Sequence, residues 1–197
     1  CSLGEKRGLA QRLSEGAGEN RGAETNLVYD GILLALVYSA IAAALLLVFP
    51  EPMFPNGMNS ALDLWLIATI PAFAVTEILL AAQAYRFDIA TTVRARAVVE
   101  PWTISIGAGV FFFIPATRES GLALAYIASI FAGLAAAIWP FMRTYGLPRN
   151  WRPRLPKMAR MTARAFPLAI ADAVEWGTRR LDIFILGFFA APAAVGI

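Results

Sequence analysis

A 197-residue chain that is 58% hydrophobic and only 16% charged, with a mean hydropathy of +0.60, lies outside the range of water-soluble domains. The lone cysteine, Cys1, excludes an internal disulfide framework, and the absence of histidine argues against zinc chemistry and His-based catalysis. The composition predicts an all-α, polytopic membrane helix bundle with no metal and no cofactor.

Residues 1–26 are polar, with four basic residues, Lys6, Arg7, Arg12 and Arg21, and are expected to form a cytoplasmic connection outside the bilayer. Cys1 at the first position fits a processed lipoprotein, but the several spans behind this segment favour a fragment of a longer chain. The final Val195-Gly196-Ile197, inside an apolar run, favours a fragment too. Crossing about 30 Å of hydrocarbon takes roughly 20 helical residues, and residues 27–142 supply four such runs. The first is Leu27 to Phe49, in which LLALVYSAIAAALLLVF is uncharged. The second runs from Leu62 to Tyr85 and contains Pro71, where a kink is expected, and an acid, Glu77. The third, Ala97 to Ala116, is short, and Glu100 near its start, just after Arg94 and Arg96, is expected at the inner interface. Its Gly107 and Gly109 are read as packing residues. The fourth, Gly121 to Met142, carries no charge. Trp65, Trp102 and Trp139 near the span ends fit interfacial anchoring. A fifth span falls within residues 166–197. These runs are continuously apolar, without the alternation of a transmembrane barrel, so only helices satisfy their backbones.

Lysine and arginine are retained on the cytoplasmic side of a membrane. Four lie before the first span, three between the second and third, and seven between the fourth and fifth, whereas the opposite connections hold only Arg118. The amino end is therefore expected inside. This topology already accounts for the +3 charge, so nucleic-acid binding is not expected. Residues 143–165 form the basic connection. Pro148, Pro153 and Pro156 disfavour a regular helix in its first half, and LPKMARMTARAF in its second half fits an amphipathic helix on the anionic leaflet.

The fifth span, FPLAIADAVEWGTRRLDIFILGFFAAPAAVGI, carries five charges. At about 100° per residue, with Asp172 as zero, Glu175 falls near 300°, Arg179 near 340° and Asp182 near 280°. Those four share one face, and Arg180 lies off it. One reading is an internal ion-pair ladder, with Glu175 and Arg179 at i, i+4. The other is a seam lining a water-filled path, because charges at the bilayer centre cost on the order of 3 kcal/mol each unless they avoid lipid. On that reading Arg179 and Arg180 are candidate phosphate donors, and Asp172, Glu175 and Asp182 are candidates to hold a proton or sodium ion. Glu77 is either a further cavity-lining acid or a carboxyl hydrogen-bonded between helices.

Pro167, LDIFILGFF with Asp182 and Gly187, and AAVGI with Gly196, following a basic connection, resemble the start of the second half of polysaccharide flippases. These belong to the multidrug/oligosaccharidyl-lipid/polysaccharide exporter superfamily. SLGEKRGLAQRLSEG similarly looks like the connection after that family's second span. The resemblance covers the chain in outline, and only the last 32 residues carry it specifically. It implies a two-bundle transporter of 12 to 14 helices, five of them here, that is not an enzyme and moves a lipid-linked oligosaccharide across the membrane. A cation-coupled multidrug exporter of the same superfamily and a membrane polysaccharide polymerase or ligase are the alternatives.

Overall fold

The computed structural model describes residues 21–51, 53–54, 58, 61–117, 120–148, 151–153, 156, 158–167, 170–171, 174–175 and 178. Regular structure among them is helical throughout. In chain order the elements are α1 (Arg21–Val48), α2 (Ala61–Tyr85), α3 (Ile89–Val93), a π-helical segment (Arg94–Val99), α4 (Glu100–Phe113), a 3-10 turn (Pro115–Thr117) and α5 (Gly121–Thr144). Residues 158–167 are helical again, as are the described positions at 170–171, 174–175 and 178.

Among the described residues, three helices are long and apolar enough to cross a membrane: Glu24–Val48, Ala61–Tyr85 and Gly121–Thr144. At 1.5 Å per residue each exceeds the hydrocarbon thickness. The third predicted span starts earlier than its apolar core, because α3, the π-helical segment and α4 follow one another without a break from Ile89 to Phe113. Its first half is polar enough to conceal the helix from hydropathy. Asp88 caps it, accepting from the Thr91 N–H at 3.2 Å and from the Thr91 hydroxyl at 2.6 Å. The turn that feeds this cap forces Phe87 to φ 62°, a conformation non-glycine residues seldom adopt. At the far end, α5 closes on Gly146 at φ 66°, whose N–H reaches the Met142 carbonyl. Helix α2 continues through Pro71.

Helix α5 lies between α2 and α4, its most extensive partners, and α1 packs on the other side of α2. Half of the main core cluster is alanine. Ala35, Ala74, Ala82, Ala95 and Ala137 are buried with Val28 and Ile78. Between apolar helices in lipid, close backbone approach replaces the hydrophobic driving force, and alanine and glycine permit it. Two buried hydroxyls are satisfied within their own helices: Ser39 donates to the Ala35 carbonyl at 2.5 Å and Thr76 to that of Ala72 at 2.8 Å. The outward faces are the reverse of a soluble protein's, with Val37, Ile41 and Leu45 on α1 and Trp102, Ile106 and Val110 on α4 all exposed. Trp65 and Trp139 are exposed as well.

The two span glycines differ. A Cβ at Gly107 would stand 3.0 Å from the Ala125 Cβ on α5, whereas one at Gly109 would meet nothing within 4 Å. Only Gly107 is a packing residue, which corrects the expectation for Gly109. Gly107→Val is therefore expected to destabilise the protein by about 1–3 kcal/mol through overpacking. Gly109→Val is expected to stay within about 0.5 kcal/mol. Equilibrium unfolding in mixed micelles separates the two.

Candidate functional site

Charged side chains from two helices and the π-helical segment meet on Arg96. Its guanidinium is ion-paired through Nη2 with the Glu77 carboxylate of α2 and through Nη1, at 2.5 Å, with Glu100 at the start of α4. The same guanidinium lies 4.3 Å from the centre of the Phe73 ring, one turn before Glu77 on α2. Glu100 fills a notch that exists because residue 133 of α5 is glycine: a Cβ there would stand 2.5 Å from Oε1 and 2.9 Å from Cγ of Glu100. The side chains are 15–22% exposed, so most of their hydration has been exchanged for one another.

The backbone makes this meeting possible. Arg96 and Glu100 are already neighbours at i, i+4. The π-helical bonding of Arg94–Val99 fits an extra residue into the turn and re-aims what it carries. Arg96 consequently turns toward α2, Ala95 is fully buried and Arg94 is exposed. With all three groups ionised the node carries one net negative charge, and a guanidinium's planar fork suits it to hold two carboxylates at once.

A second polar cluster joins the ends of α1, α2 and α5. Arg86, just after α2, is ion-paired with Glu24 near the start of α1, and its guanidinium lies 5.6 Å from the Tyr145 ring centre. The Tyr145 hydroxyl donates to the Ala82 carbonyl at 2.7 Å, and its ring stacks on Phe141 at 5.1 Å. Fully buried Gln83 donates to the Ala137 carbonyl at 2.8 Å, tying α2 to α5. Burial pushes the Tyr145 phenol above its ordinary value, and the hydrogen bond and charge of Arg86 oppose part of that shift.

The residues singled out from sequence fall in different places. Glu77 stands in the Arg96 node, hydrogen-bonded between helices. Glu100, expected at the inner interface, joins it there. Glu175 is an exposed helical residue. Asp172, Arg179, Arg180 and Asp182 lie outside the described residues. Sequence reading missed Asp30, a buried acid inside the first span, whose Oδ1 accepts from the Trp151 indole N–H at 2.8 Å. Its signal was a charge three residues into an otherwise apolar run. Comparison with known family models, curated proteins and solved structures finds no match to this chain.

Arg96→Ala leaves two desolvated carboxylates without a counter-charge and is expected to cost about 3–5 kcal/mol. Adding Glu77→Gln should recover part of that loss, a non-additivity that unfolding of the single and double variants reads directly. Tyr145 gives a pH prediction. The folded chain holds the phenol proton more tightly than the unfolded one, so this contribution is complete below the ordinary value of 10.0. It is lost as pH rises through the folded value. Tyr145→Phe should flatten that alkaline decline while forfeiting about 1 kcal/mol of hydrogen bonding at neutral pH, measured as stability between pH 8 and pH 11.

Proposed function

We propose that this chain is part of a flippase that moves an undecaprenyl-pyrophosphate-linked oligosaccharide across the bacterial inner membrane during surface polysaccharide synthesis. On this reading the helix that starts near residue 158 and the one from Ile89 to Phe113 both cross the bilayer, giving five spans with the amino end cytoplasmic. Substrate class and two-bundle architecture come from the resemblance carried by Pro167, LDIFILGFF and AAVGI. The observation that supports transport most directly is the ionic node of Glu77, Arg96 and Glu100 among apolar helices. Ionisable groups among apolar helices are costly, and in membrane proteins they pair with one another and are kept where function needs them.

In this mechanism a protein-lined path shields the polar glycan while the lipid tail remains in the bilayer. Arg179 and Arg180 are the residues proposed to neutralise the pyrophosphate, since a guanidinium matches phosphate oxygens with two parallel N–H groups. Asp172, Glu175 and Asp182 complete the charged seam and are the proposed sites for a coupling proton or sodium ion. The Arg96 node serves as the fixed part of the scaffold. The cation-coupled drug exporter reading leans on Glu77 as an accessible acid, and Arg96 occupies that carboxylate.

Arg179→Ala in the full-length protein is expected to lower glycan export at least tenfold without changing the amount of protein in the membrane fraction. Surface glycan on immunoblots, normalised to membrane-inserted protein, checks this, and unchanged export removes Arg179 from the substrate path.

A further inference from the structure

The basic connection after α5 is laid along α1 and fastened to it at successive levels. At the first, the Tyr29 hydroxyl donates to the Gly146 carbonyl at 2.9 Å, and the Tyr29 ring lies between Phe141 and Trp151, each 5.9 Å away. At the second, the Trp151 indole donates to Asp30, which is 3% exposed. One turn further, Leu34 packs against Met158 and Met161, all buried. At the last, Tyr38 meets Thr162 at 2.5 Å. The Thr162 hydroxyl donates its own proton to the Met158 carbonyl at 3.1 Å, so Tyr38 is the donor in that pair.

Residue numbers rise together on both sides, 29 to 38 on α1 and 146 to 162 on the connection, so the two pieces run parallel. The contacts from Asp30 to Tyr38 cover about 12 Å of the α1 axis. This overturns the expectation that LPKMARMTARAF lies on the leaflet surface. Met158, Met161 and Ala165 do form an apolar stripe, but its Met158–Met161 part packs on α1. Residues 158–167 are helical, as expected for this stretch.

We infer that the described residues between 145 and 165 are a strap that moves with α1 as one body when the protein changes conformation, and are not a joint between two moving halves. Release would have to unpair Asp30, Trp151, Tyr38 and Thr162 together where little water is present to replace their partners. Pro148 removes backbone freedom between the first two fastenings, and Pro153 does so between the second and the third. The inference rests on these contacts and stands apart from the flippase reading, because its test reads a distance and not transport.

The full chain carrying Cys1→Ser is spin-labelled at Val48→Cys and Arg152→Cys, both exposed. Val48 stands eighteen residues beyond Asp30 on α1, about 27 Å along the axis. Pulsed electron-electron resonance is recorded in micelles, in liposomes and in liposomes with added undecaprenyl diphosphate. A single narrow distance distribution, the same in all three, is expected; a second population or a shifted mean in any of them overturns the inference. Trp151→Phe and Tyr38→Phe each delete one hydrogen bond while keeping a ring. Each should broaden the distribution, and the pair should broaden it more. An unchanged distribution in the double variant would show that the polar contacts do not hold the strap.

Discussion

Where water is scarce, a charge has to be met by another side chain, and the arrangement of these helices follows from how Arg96 is met. Its guanidinium takes Glu77 from one neighbour and Glu100 from the start of α4, while Phe73 covers its face. Satisfying both carboxylates fixes the depth of α2 relative to α4. The close fit of Glu100 against Gly133 then fixes α5 against both. A single cation thereby sets the register of three helices that apolar packing alone would leave free to slide, a role in which buried polar groups contribute specificity more than net stability.

The π-helical segment is the backbone's contribution to that node. A regular α-helix from Ile89 to Phe113 would keep Arg96 and Glu100 on one stripe. Widening one turn lets Arg96 address α2 while α4 stays packed along α5. Around this centre small residues and some helix-internal hydrogen bonds suit a bundle whose exposed side chains include many leucine, isoleucine, valine and tryptophan residues.

The polar contacts are not spread evenly along the bundle. Glu24, Arg86, Tyr145, Gln83, Asp30 and Trp151 gather where α1 begins and α2 and α5 end. Toward the other end of α1 the exposed side chains are apolar, from Ile41 to Phe49. Such a molecule is clamped at one end.

The sequence by itself determined the helical class, the apolar segments and most of their limits, because length and hydropathy are local properties that a helix in lipid must satisfy. It also placed Glu100 just after Arg94 and Arg96, and it showed Glu77 as an acid inside a span. Only the tertiary structure decided that these three belong together, since Glu77 precedes Arg96 by nineteen residues and a tight turn. It decided as well that Asp30 is held by Trp151, 121 residues away, and that the Met158–Met161 stripe chooses α1 and not the leaflet. Periodicity tells which face of a helix is apolar or charged; which neighbour covers that face depends on how the helices cross, and that follows from the whole set of contacts and not from any one stretch.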